Sequence, residues 1–80
     1  MAVKLVFLGR LADLAGAAER DIAPPLDWRS LAAALEPALA EAIAGEKIRV
    51  AVNGTLLADR AALTAQDGDE VALLPPVSGG

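Results

Sequence analysis

The chain has 80 residues, room for one small domain, and with 55% apolar but only 2% aromatic residues its core must be aliphatic. It contains no Cys, His or Tyr, which excludes thiol nucleophiles, disulfides, Cys/His zinc sites and His general bases. Seven Lys and Arg against eleven Asp and Glu give a net charge of −4, spread without a basic stripe, and this argues against nucleic acid as a partner.

Val3, Leu5 and Phe7 alternate with Lys4, Val6 and Leu8, predicting a first strand over residues 2–8. The outward Val6 and Leu8 predict that its second face is covered too. A helical turn over Leu11–Ala15 is stopped by Gly16. Residues 18–23 form a second strand, and the run Glu19-Arg20-Asp21 suits an exposed edge. Pro24-Pro25 ends it, because proline cannot donate to a sheet ladder.

Asp27 reads as a helix N-cap, with Ser30 where a full capping box carries Glu or Gln. Trp28, Leu31, Leu35, Leu39 and Ile43 follow at spacings of three and four, the stripe of an amphipathic helix. Pro37 interrupts it and predicts a kink or a break near Glu36, with Pro37 opening a second short helix. Gly45 marks the end.

Lys47–Asn53 alternates as a third strand, and Asn53-Gly54 is the preferred pair for a tight hairpin. Thr55–Ala58 returns as a fourth strand. Asp59–Gln66 reads as a loop with a helical turn anchored by Leu63. Asp67-Gly68-Asp69 turns the chain into a last strand, Glu70–Leu74, which Pro75-Pro76 stops. The order β, β, α, β, β, β predicts an α+β mixed sheet with one main helix packed across it.

No stretch approaches the roughly 18 uncharged apolar residues of a membrane span, so no membrane contact is expected. Leu5–Leu8 is too short for a signal-peptide core. With no Cys and no such signal, the expected location is cytoplasmic.

Candidate sites are few. Asp67, Asp69 and Glu70 lack the further oxygen ligands of a calcium loop and read as an acidic turn, so no metal is expected. Trp28 is read as a half-buried core residue or a partner anchor. Ser30, Thr55, Thr64 and Ser78 have no His to activate them.

Gly79-Gly80 make no turn and lead into no helix. Pro75–Gly80 reaches roughly 20 Å when extended. The prolines stiffen its base, and the glycines have no side chains to block a narrow channel. Composition alone reads these residues as a frayed terminus, but such a tail can deliver its terminal carboxylate into another protein's active site. A free carboxylate is a poor electrophile, whereas its mixed anhydride with AMP has a good leaving group. A sulfur donor can convert such an adenylate to a thiocarboxylate, which makes the chemistry feasible. With no thiol in the chain, the terminus is the one place left to carry sulfur.

The chain resembles the small subunit of molybdopterin synthase, in the ubiquitin-like sulfur-carrier superfamily that includes the thiamine-pathway carrier. The segment from Asp67 to Gly80 carries the resemblance most strongly, with Ala51-Val52-Asn53 and Lys4-Leu5-Val6-Phe7 in support. Two details depart from the family pattern. Ala12-Asp13-Leu14 stands where Arg-Glu-Leu is common, and Leu74 where an aromatic residue is common.

The resemblance implies a β-grasp domain over residues 1–76 and an extended tail over 77–80. It implies that Gly80 is adenylated by an E1-like adenylyltransferase using ATP and converted to a thiocarboxylate. Pro75, Pro76, Val77, Ser78 and Gly79 then thread the tail into the catalytic large subunit of a heterotetramer. There sulfur passes to the cyclic pyranopterin monophosphate precursor of molybdopterin. By the same resemblance the chain itself is expected to bind no cofactor and to be no enzyme alone. Phe7 and Leu74 are implied contributors to the docking surface. Thiamine synthesis, tRNA thiolation and protein conjugation are the alternative uses of such a tail.

Overall fold

The computed structural model describes residues 2–45 and 47–75. Strand β1 (Val3–Phe7) is followed by helix α1 (Arg10–Ala15), β2 (Glu19–Ile22) and β3 (Leu26–Asp27). Helices α2 (Trp28–Ala34) and α3 (Pro37–Ile43) come next, then β4 (Arg49–Val52) and β5 (Thr55–Leu56). A 3-10 turn (Arg60–Ala62) leads to β6 (Thr64–Ala65) and β7 (Glu70–Leu74). The main sheet runs β2-β1-β7-β4-β5, with β1 and β7 parallel at its centre and the other pairs antiparallel.

Period-two patterning gives β1 its two faces. Val3, Leu5 and Phe7 are buried together with Val50, Val71 and Leu73 from the paired strands. Leu11, Leu31, Leu39 and Ile43 of the three helices close this core. No helix among the described residues is long and apolar enough to cross a membrane.

The helical stripe breaks at Pro37 rather than kinking. The residue before a proline is pushed out of the helical region, and Glu36 is extended at φ −59°, ψ 150°. Leu35 before it is extended as well and turns its side chain into the core. Pro37 opens α3 at a position where no amide hydrogen is needed.

The break frees the Glu36 carboxylate to accept two hydrogen bonds from the Arg20 guanidinium, at 2.7 and 3.2 Å. These bonds hold the Glu36 carboxyl below its ordinary range and raise Arg20 above its own. Arg20 also lies 5.7 Å from the centre of the Phe7 ring. The edge strand β2 is thereby tied to the helical layer.

Ser30 does complete a capping box, which the missing Glu or Gln had argued against. Its amide donates to Asp27 Oδ1 at 2.8 Å, and its Oγ accepts from the Asp27 amide at 3.0 Å. A serine hydroxyl is short, but at this position it reaches the amide. The Ser30 amide, together with the Ser30 hydroxyl donating to the same Oδ1 at 2.9 Å, holds the Asp27 carboxyl below its ordinary range.

The far end of α3 is capped by Arg60, which donates to the carbonyls of Ile43, Ala44 and Gly45. Its guanidinium stacks 4.9 Å from the Trp28 ring, which is half-buried against the core. Leu63 is buried as its anchoring role requires.

Asn53 and Gly54 both take positive φ, at 51° and 84°, in the β4–β5 turn. The Asn53 side chain also clasps the neighbouring turn. Its Nδ2 donates to Asp69 Oδ1 at 3.1 Å, and its Oδ1 accepts from the Glu70 amide at 2.9 Å. Asp69 accepts a further bond from the Gln66 amide at 2.9 Å, the chief reason its carboxyl lies low.

Candidate functional site

The predicted cover over the second sheet face is absent among the described residues. All three helices pack on the face of Val3, Leu5 and Phe7. Residues paired across strands share a face, so the register places Val6, Ala72, Ala51 and Leu56 in one row on the other side. Leu74 lies on that face beside Arg49. Leu8 is 41% exposed and Leu56 56% exposed. An apolar band thus crosses the open face and runs up to the end of β7. Outward apolar residues on two adjacent central strands make this face a candidate docking surface.

Pro75 follows directly and is half-buried. A methyl group on Gly9 would meet Pro75 Cγ at 3.1 Å, and Gly9 has φ +56°. The backbone angle favours glycine at position 9, and a side chain there would also have to displace Pro75 by a few tenths of an ångström. The Leu8 amide donates to the Leu73 carbonyl at 3.3 Å just before this point. The chain end is anchored on the rigid centre of the sheet up to Pro75. Neither Gly9 nor the apolar row was singled out from the sequence. The signal for the row was the apolar character of both sides of β1.

The predicted site residues divide three ways. Pro76, Val77, Ser78, Gly79 and Gly80 lie outside the described residues, and so does the boundary placed after residue 76. Leu74 stands half-exposed on the open face, where a partner can reach it. Phe7 does not: it is 1% exposed, among Val50, Val71 and Leu73 in the core beneath Arg20. Its implied docking role is corrected, because period-two alternation assigns Phe7 to the face opposite Val6 and Leu8.

The comparisons with known proteins fit this geometry. The model of the ThiS family matches residues 5–80. A chain from the protein–protein complex of subunits 1 and 2 of molybdopterin-converting factor from Helicobacter pylori 26695 is 30% identical. That match covers 100% of both chains with a TM-score of 0.70. The small archaeal modifier protein 1 from Methanosarcina acetivorans is 27% identical. It matches 98% of this chain and 95% of its own, with a TM-score of 0.76. The corresponding protein from Haloferax volcanii is 26% identical over 100% of both chains, with a TM-score of 0.75. These neighbours share the ubiquitin-like β-grasp fold. No curated protein gives a significant match.

Proposed function

The chain belongs to the ThiS family, and from that membership we propose that it is the sulfur-carrier subunit of a molybdopterin synthase. One observation carries the reading. The chain is similar over its full length to a protein found in a complex of molybdopterin-converting factor subunits 1 and 2. An apolar open face that ends at the root of a Gly-Gly tail is what such a pairing requires.

In this reading the Gly80 carboxylate attacks the α-phosphate of ATP on an E1-like enzyme, and pyrophosphate leaves. A sulfur donor then displaces AMP and leaves a thiocarboxylate. The large subunit accepts the tail; the thiocarboxylate sulfur bonds a carbon of the cyclic pyranopterin monophosphate precursor as an oxygen leaving group departs, and water then cleaves the acyl–sulfur bond, leaving sulfur on the precursor and a carboxylate on Gly80. Two small and two large subunits form the working assembly. The side chains of this chain perform none of these steps. Its domain presents the tail and docks through Val6, Ala72, Leu74 and Leu56.

The docking claim has a direct test. Leu74→Asp places a charge in the proposed interface without touching the core. It is expected to weaken binding to the large subunit at least about tenfold while leaving the melting temperature nearly unchanged. Unaltered affinity, measured by calorimetry, removes the open face from the interface.

A second reading has its own observation, the likeness to small archaeal modifier protein 1. There Gly80 is joined to a lysine amine through an isopeptide bond. Isopeptide adducts in cells without any thiocarboxylate form favour it.

A further inference from the structure

The open face repeats one motif on its two central strands. Strands β1 and β7 run parallel, and their register sets Lys4 beside Glu70 and Val6 beside Ala72. By alternation Leu8 and Leu74 follow at the same end. Each strand thus presents a charge, a smaller apolar residue and a leucine, and the two charges at matching positions are opposite. Glu70 is exposed and makes no ion pair among the described residues. Lys4 pairs with Glu19 at 3.9 Å, both side chains being open to solvent. On the flanking strands Glu19 extends the same row beyond Val6, and Ala51 extends it beyond Ala72. Arg49 lies two residues before Ala51 on that face.

We propose that a second copy of this chain covers the open face, in a two-fold dimer whose axis runs along the strands between β1 and β7. In a two-fold interface each residue lies over a partner that lies over it in return. About this axis, β1 of one copy lies over β7 of the other. Lys4 then faces Glu70, Val6 faces Ala72 and Leu8 faces Leu74, each contact occurring twice. Glu19 falls over Ala51 of the second copy, within a long side chain's reach of that copy's Arg49. Stacked sheets lie about 10 Å apart and about 30° off parallel, and the long Lys, Glu and Arg side chains absorb that rotation. Charge complementarity selects the occupant, because the two strands of one copy carry both halves of the contact. It selects the orientation too. An axis across the strands lays Leu74 over Glu70 and Leu8 over Lys4, matching neither charge nor apolar surface. A face of five short strands is small for an interface, so the dimer is weak and reversible. It uses Val6, Ala72 and Leu74, which the synthase reading gives to the large subunit, so the two occupants exclude each other. That competition rests on the synthase reading; the dimer does not. The second copy keeps the apolar band from water until the large subunit takes its place.

The experiment is sedimentation equilibrium on the full chain, from micromolar to millimolar concentration. Wild type is expected to dimerise reversibly within that range. Lys4→Glu and Glu70→Lys are each expected to weaken the dimer about tenfold or more, because each sets like charges face to face twice. Both positions are exposed, and circular dichroism checks that the variants are folded. Glu70→Lys exchanges one negative charge for one positive and brings the net charge from −4 to −2. General repulsion between copies falls, so a non-specific association tightens where the proposed dimer weakens. An equal mixture of the two variants is expected to restore a dimer, since every charge then faces its opposite. A wild-type chain that stays monomeric throughout overturns the proposal. So does a dimer that both reversals leave intact, or one that the mixture does not restore. Added large subunit is expected to dissociate the dimer, and a large subunit that binds the intact dimer overturns the shared face. A large subunit that binds neither form overturns the synthase reading and leaves the dimer standing, so the two failures are distinguishable.

Discussion

A chain ending at Gly79 is expected to melt like the full chain and to transfer no sulfur. The two halves of this result have separate causes. The buried core lies between Val3 and Leu73, and Gly80 is seven residues beyond its last member. Truncation therefore leaves burial and the Asn53 clasp unchanged, and the thermal transition stays in place. The shortened chain still ends in a carboxylate, now one residue nearer the domain. Each residue contributes at most about 3.3–3.6 Å of extended reach. Group transfer requires the reacting atoms about 3–3.5 Å apart, and a misplacement of about 1 Å costs on the order of a hundredfold. No side chain supplies a substitute, because the sequence has no thiol. The measurements are a melting curve and product formation with the activating enzyme, the large subunit and the precursor. Full activity in the truncated chain removes Gly80 from the chemistry.

Phe7→Ala is expected to do the reverse, destabilising the domain without removing a partner contact. The ring is 1% exposed and packs with Leu5, Val50 and Leu73 under the Arg20 guanidinium. Truncating a buried Phe typically costs about 3–5 kcal/mol, from lost transfer energy and the cavity left behind. A domain of this size has a total of about 4–12 kcal/mol, so the loss is a large share. Loss of the ring also strips the Arg20–Glu36 pair of the surface it rests on. The melting temperature is expected to fall by more than about 10 °C. A variant that melts normally but fails to bind the large subunit restores Phe7 to the docking surface. Paired with Leu74→Asp, the two substitutions separate the faces of one sheet: the inner one costs stability and the outer one costs association.

Much of this architecture is written in short-range signals. Asn53-Gly54 and Asp67-Gly68-Asp69 sit at the turns they encode, because their backbone angles are local properties. Pro37 announces the interruption in its helical stripe, although only the extended Leu35 and Glu36 decide for a break. The β3–β6 ladder was not legible. Its strands have two residues each, too few for any alternation, and they pair residues 26 and 65 far apart in sequence. The bond from Arg20 to Glu36 spans 16 positions and likewise has no local signature.

The outward apolar side chains of β1 were legible in the sequence. The reading of Gly80 rests on the absence of reactive side chains, on the Gly-Gly tail and on the family resemblance, and that tail lies outside the described residues. The outward, apolar Val6 and Leu8 predict a covered second face, and no described element of the chain covers it. A covered face and a docking face carry the same pattern in one strand, and only the full sheet register tells them apart.

The central claim is that Gly80 carries sulfur, and intact-mass spectrometry of the protein isolated from its native cells tests it most directly. The account predicts a population heavier by the replacement of one oxygen by one sulfur, with the added mass confined to the C-terminal fragment. A protein found only with its unmodified carboxylate or in isopeptide linkage to lysine, under conditions that demand molybdopterin, contradicts it.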